Sequence, residues 1–272
     1  MEMFTPHIVA LLLFFAGTCT GSFLSVLIHR IHEQEPGILF GRSKCPKCTY
    51  KLRPLDLIPL FSYLLTRGKC RNCKKSISLT YPALELMTGT TFLTLYLFTP
   101  YLFAIEGITY TTAYLHNIIF YYLAFTGLIF TFFYDLKYMI ISDRILLPLI
   151  VIGMILPFTP HYFLTPAEVL AGLLVPVLFF ALQILISKGK WIGGGDLRIG
   201  ALMGVLLGWQ AVILALFLGY LVGAVTSIGL LTLPNFSRKS MVPFGPFLVV
   251  GTYIAFFYGS QIIEWYLQLI YL

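Results

Sequence analysis

The chain has 272 residues, is 58% hydrophobic and only 11% charged, and carries a formal charge of +7. These proportions exclude an ordinary soluble domain and point to a polytopic membrane protein. At roughly 20 apolar residues per helical crossing, the length allows about eight crossings and one modest polar region.

The first apolar run covers 7–28. No Lys or Arg precedes it, and Thr18 stands before Cys19 where a lipobox has a small residue, so the run reads as a retained anchor rather than a signal peptide. Gly17 and Gly21 give a GxxxG spacing that suits close helix packing. Cys19 is expected to pack within the span.

Residues 29–82 form the only sizeable polar segment. Cys45-Pro46-Lys47-Cys48 and Cys70-Arg71-Asn72-Cys73 lie 21 residues apart in it. Paired CxxC knuckles let the thiolates of Cys45, Cys48, Cys70 and Cys73 surround one structural Zn2+ tetrahedrally. A segment too small for a large core gains most from such a staple, and a cytosolic location disfavours disulfides. The alternative is reduced or redox-active thiols without metal. The insert holds eleven basic residues: Arg30, Arg42, Lys44, Lys47, Lys51, Arg53, Arg67, Lys69, Arg71, Lys74 and Lys75. They suit retention in the cytoplasm and anionic lipid heads. Aromatics for base stacking are few (Phe40, Tyr50, Phe61, Tyr63, Tyr81), so no nucleic-acid partner is expected. Gly68, just before the second knuckle, reads as a turn residue, with a ligand contact as the alternative.

Further spans are predicted over 83–104, 112–134, 144–158, 166–186, 196–209, 211–233 and 246–270. The stretch 196–233 is too long for one crossing and is broken at Gly208-Trp209-Gln210. Glu85 opens the second span, beside an active site or lining a polar groove. Asp135 ends the third, where the helix dipole disfavours an anion, so a merely stabilising role suits it poorly. Ser142-Asp143 opens the fourth in the manner of a helix N-cap; Asp143 reads as capping or support, or as a direct chemical participant. Asp196 opens the sixth span after Gly193-Gly194-Gly195. Three glycines are costly in entropy and let backbone approach closely, although they also serve as a hinge.

With eight spans, the eleven basic residues of the insert and the other seven (Lys137, Arg144, Lys188, Lys190, Arg198, Arg238 and Lys239) all fall on one side. The positive-inside rule makes that side cytoplasmic and puts both termini outside. Asp135 and Asp196 then meet the same cytoplasmic plane. Carboxylates beside a membrane segment are functional candidates by default. Two that share one proton titrate as a unit and suit aspartyl peptide cleavage: one draws a proton from water, the other donates to the scissile carbonyl.

These residues resemble the type IV prepilin peptidases, the prepilin leader peptidase/N-methyltransferases of the GxGD membrane aspartyl protease class. The resemblance runs nearly end to end. It is carried by Gly21-Ser22-Phe23-Leu24, both CxxC knuckles, the stretch from Asp56 to Leu64, and Arg67-Gly68-Lys69-Cys70. It continues through Ile77-Ser78, Tyr81-Pro82 with Glu85, Asp135, Gly193-x-Gly195-Asp196, and Pro243-Phe244-Gly245-Pro246-Phe247. It implies a multi-pass enzyme of the bacterial cytoplasmic (inner) membrane that removes the basic leader from type IV prepilins or from pseudopilins of secretion or competence systems. It further implies methylation of the new N-terminus with S-adenosylmethionine. The catalytic pair is then Asp135 and Asp196, with Gly193, Gly195 and Asp143 in support. The expected organisation is a first transmembrane helix (1–28), a cytoplasmic zinc-ribbon-like insert (29–82) and a transmembrane aspartyl peptidase domain (83–272).

Two positions depart from the family pattern: Ser142 stands where Pro is frequent, and Ser25 where Asn is frequent. Ser142 is expected to keep a capping role; Ser25 bears on the methyl-transfer half. No glycine-rich strand-turn-helix unit for a methyl donor is visible. The competing readings are a peptidase without methyl transfer, an ion-coupled transporter with a zinc-ribbon module, and a membrane-tethered nucleic-acid binder. A transporter predicts carboxylates near the bilayer midplane, and nucleic-acid binding leaves the aspartates unexplained.

Overall fold

The computed structural model of the chain describes residues 5–34, 41–102, 115–159, 162–234, 237 and 240–270. Phe40, Arg238 and Lys239 lie outside them. The described residues hold eight α-helices and no strand: α1 (Thr5–Glu33), α2 (Phe61–Leu65), α3 (Thr80–Leu102), α4 (Leu115–Tyr138), α5 (Asp143–Ile155), α6 (Pro166–Ser187), α7 (Gly194–Leu231) and α8 (Gly245–Ile270). This is the all-α polytopic architecture that the composition predicts. Five helices, α1, α4, α6, α7 and α8, are long and apolar enough to cross a membrane. Helices α3 and α5 stand where the second and fourth crossings are predicted. The chain divides into two compact units, Met1–Glu106 and Gly107–Leu272.

In the first unit α1 lies against α3 through small residues. A Cβ on Gly17 would come within 2.8 Å of the Gly89 Cα, and one on Gly21 within 2.7 Å of the Glu85 Cα. The GxxxG spacing therefore serves backbone-to-backbone packing, as membrane helices use it. Cys19, half a turn from each glycine, corrects the sequence reading: it is exposed, because it lies off the Gly17–Gly21 face that meets α3. Between the helices runs the insert, with a one-turn 3-10 helix at Pro54–Leu57 and the short α2.

In the second unit α4 is the buried centre. Phe120, Phe125 and Phe130 are almost wholly enclosed. Phe125 meets Tyr253 and Phe256 of α8 edge-on at 4.7 and 4.8 Å, a favoured aromatic geometry. Helix α6 starts with a capping box: the Glu168 amide donates to Thr165 Oγ1 at 3.2 Å, and the Thr165 amide donates to Glu168 Oε2 at 2.7 Å. Its face is cut away for α7; a Cβ on Gly204 would collide with the Gly172 carbonyl oxygen. Helix α7 has 38 residues, about 57 Å of rise against a hydrocarbon core of about 30 Å. It breaks at Gly208, whose φ of 73° and ψ of 177° are non-helical. The break falls where the length of the apolar run requires one, and glycine is the residue that tolerates this conformation.

Candidate active site and metal centre

Asp135 lies in the last turn of α4 and Asp196 in the first turn of α7. Both are buried, at 5% and 8% exposure. A buried carboxylate needs hydrogen-bond donors, and each finds a glycine amide. Gly245, the first residue of α8, donates its N–H to Asp135 Oδ2 at 3.0 Å. Gly193 donates its N–H to Asp196 Oδ2 at 3.2 Å. Asp196 is thus not the N-cap of α7; it is the third helical residue, reaching back to the N-cap Gly193, where the helix dipole favours an anion.

The helix ends that carry the two carboxylates pack together. A Cβ on Gly245 would sit 2.7 Å from Asp135 Oδ2 and 3.0 Å from Ile199 Cδ1, and Ile199 lies one turn beyond Asp196. Gly195 packs against the loop that follows Asp135: its missing Cβ would be 2.6 Å from Ile141 Cδ1. Nothing lies within 4 Å of a Cβ placed on Gly194, which is exposed.

Asp143 is the first residue of α5 and pairs with Arg198 of α7, Nε to Oδ1 at 2.9 Å. This ion pair joins the loop after Asp135 to the helix that carries Asp196. Ser142 holds the N-cap position, but its side chain makes no capping hydrogen bond; its carbonyl accepts from the Ile145 and Leu146 amides instead. The capping role read from the sequence is corrected accordingly.

Sequence reasoning missed two partners. One is the Gly245 amide, 110 residues from Asp135; the Pro243–Phe247 run marked the place without marking the contact. The other is the Leu60 amide, which donates to Glu85 Oε2 at 2.7 Å. Glu85 thereby holds the insert to α3 within the first unit. Gly68 has φ +67°, and a Cβ there would meet the Tyr63 hydroxyl at 2.8 Å. Its amide donates to the Tyr63 carbonyl at 2.9 Å and its carbonyl accepts from Ile77 at 2.7 Å, the geometry of a tight turn.

The four cysteines of the two knuckles come together, with every Sγ within 4.8 Å of the others. Zn–S bonds of about 2.3 Å in a tetrahedron require sulfurs about 3.8 Å apart; Cys48 and Cys70 stand at 3.9 Å. The knuckles repeat each other in detail. Cys45 donates to the Tyr50 carbonyl and accepts from Thr49; Cys70 donates to the Lys75 carbonyl and accepts from Lys74. Thr49 and Lys74 take φ of 56° and 57°. Bridges pair Lys44 with Lys51 and Lys69 with Ser76. Hydrogen bonding from the Tyr50 backbone, with help from Asn72 and against the effect of burial, brings the Cys48 thiol down to about 6. The donor set fits a tetrahedral thiolate-binding metal ion.

The profile described as "Bacterial Peptidase A24 N-terminal domain" matches residues 15–99. That of the "Type IV leader peptidase family" matches 122–228. The chain is 31% identical to the "Prepilin leader peptidase/N-methyltransferase" of Aeromonas salmonicida (strain A449), over 97% of this chain and 96% of that protein. It is also 31% identical to the proteins of that name from Pseudomonas aeruginosa, over 93% of this chain and 91% of that one, and from Bacillus subtilis (strain 168), over 95% and 98%. No solved structure matches the chain.

Proposed function

The chain belongs to the type IV leader peptidase family, and on that premise we propose that it is a membrane aspartyl endopeptidase with Asp135 and Asp196 as its catalytic pair. The observation that carries this reading is the meeting of two buried aspartates from different helices, each with one carboxylate oxygen held by a glycine amide. Fixing Oδ2 on both sides leaves each carboxylate one oxygen for water or substrate. One carboxylate, ionised, takes a proton from the attacking water. The other, protonated, donates to the carbonyl oxygen of the scissile bond. The Asp143–Arg198 pair, Gly193 and Gly195 support the geometry.

The substrate is a prepilin or pseudopilin. Such a chain keeps a basic leader outside the hydrocarbon and an apolar helix within it, so its scissile bond lies at the membrane surface. Both aspartates sit within one turn of a helix end. That position favours an interfacial peptidase over a transporter, whose charges belong near the midplane. By the positive-inside rule the face is cytoplasmic, in the bacterial inner membrane, with both termini outside. The four cysteines hold a structural zinc ion. Methylation of the new N-terminus with S-adenosylmethionine follows the names of the relatives; the geometry of Gly68 is already explained by its turn and adds nothing to the case for a donor contact there.

Mass spectrometry of a prepilin incubated with the protein and S-adenosylmethionine, beside Asp196→Asn, tests both activities. Leader loss plus one methyl mass, absent from the variant, is expected. Leader loss without the methyl leaves a peptidase alone. No cleavage of several prepilins removes the reading altogether.

A further inference from the structure

The insert carries apolar side chains that nothing in its own fold explains. Leu55, Leu57, Phe61, Leu64 and Leu65 are 64%, 42%, 54%, 72% and 59% exposed. All lie within twelve consecutive residues, 54–65, covering the 3-10 turn and α2. Single exposed leucines are ordinary; five in one short segment form a patch that marks an interaction surface. Among residues 41–79 only Cys45, Pro59, Gly68 and Cys70 are buried, which leaves no core there to take them.

Three observations say what covers this patch. First, the segment is tied to α3, which stands where the second crossing is predicted. Its Leu60 amide donates to Glu85 Oε2 at 2.7 Å, and Glu85 is the sixth residue of α3, about 8 Å of rise from the helix start. The Leu60 backbone takes φ 61° for this, uncommon for a side chain of its size. Second, the start of α3, to which the segment is tied, also carries exposed apolar side chains: Leu79 is 72% and Leu86 48% exposed. Third, residues 41–79 hold ten Lys/Arg, all exposed, and one acidic residue, Asp56. Arg53 and Arg67 bracket the patch. Apolar side chains flanked by exposed basic ones at the end of a membrane helix are the pattern of an interfacial anchor. A second copy of this surface, or a basic leader peptide, would be repelled by the same ten charges; anionic lipid heads are attracted.

We propose that residues 54–65 form a lipid anchor that lays the four-cysteine insert flat on an anionic bilayer, with Leu55, Leu57, Phe61, Leu64 and Leu65 in the acyl boundary. The proposal concerns the first unit alone and stands whether or not the aspartates cut prepilins.

The test uses the full chain in phosphatidylglycerol–phosphatidylethanolamine vesicles containing a lipid with a diazirine on its acyl chain. After photolysis and trypsin digestion, peptide 52–67 is read by mass spectrometry. Expected is labelling several-fold above the peptides around the cysteines. It should drop when phosphatidylcholine replaces phosphatidylglycerol, and fall to background in Leu64→Gln/Leu65→Gln, which leaves the tryptic peptide intact, with zinc content and α1 labelling unchanged. Background labelling of the wild-type peptide, while α1 and α3 are labelled, overturns the proposal. So does equal labelling in phosphatidylcholine, or a cross-link between copies through this segment. The wild-type measurement decides alone if the double variant loses its zinc.

Discussion

The carboxylates divide by how they are held. Asp135 and Asp196 are buried, and each relies on one glycine amide, whereas Asp143 is 45% exposed and faces Arg198. Asp135→Asn and Asp196→Asn are each expected to lower leader cleavage by on the order of 10²–10⁴-fold, with the protein still in the membrane fraction. Near-normal cleavage by either variant would take that residue out of the pair. Asp143→Asn is expected to cost less than about tenfold, since a half-exposed ion pair is worth roughly 0–1 kcal/mol. A loss as large as those of the two buried aspartates would move Asp143 from support to chemistry. Gly245→Ala sets a methyl group 2.7 Å from Asp135 Oδ2. Turnover should drop roughly 100-fold, the effect of an ångström-scale misplacement at a reacting group. The peptide's KM should hardly move, and kinetics on a synthetic prepilin would separate the two.

At the scale of elements, the second unit is held by helices in backbone contact. Gly204→Ala drives a methyl against the Gly172 carbonyl. Overpacking of that kind costs about 1–3 kcal/mol, so the melting temperature in detergent should fall; an unchanged melt would mean that α6 and α7 separate freely. The helices were readable in advance because a bilayer demands apolar runs of set length. The same demand exposed the break in α7, since 38 residues exceed one crossing. Local contacts that depend on three-dimensional approach were not readable. Ser142 has the composition of a cap but makes no cap bond, and Cys19 lies in an apolar run yet faces outward. Hydropathy fixes how much of a helix is apolar, not which side meets its neighbour.

For the molecule as a whole, the four cysteines were legible because metal geometry dictates their spacing, and the aspartates because charge is rare beside membrane segments. What holds residues in place within each unit was hidden: the Gly245 amide in the second and the Glu85–Leu60 link in the first are backbone contacts, and a backbone amide leaves no signature in the residue that bears it. Metal analysis of the pure protein is expected to give one zinc per chain. Chelation should make residues 41–79 sensitive to protease, and Cys45→Ser/Cys48→Ser should do so without chelator. Absence of zinc would remove the metal centre.

The Gly245–Asp135 hydrogen bond also has a consequence for biosynthesis. Helix α8 follows every other described helix off the ribosome, and its first amide is the partner of Asp135. Both aspartates are already in the membrane before that amide exists. A chain caught partway through translation therefore carries both acidic groups but lacks the amide that holds Asp135; on the proposed function, cleavage competence comes only with α8.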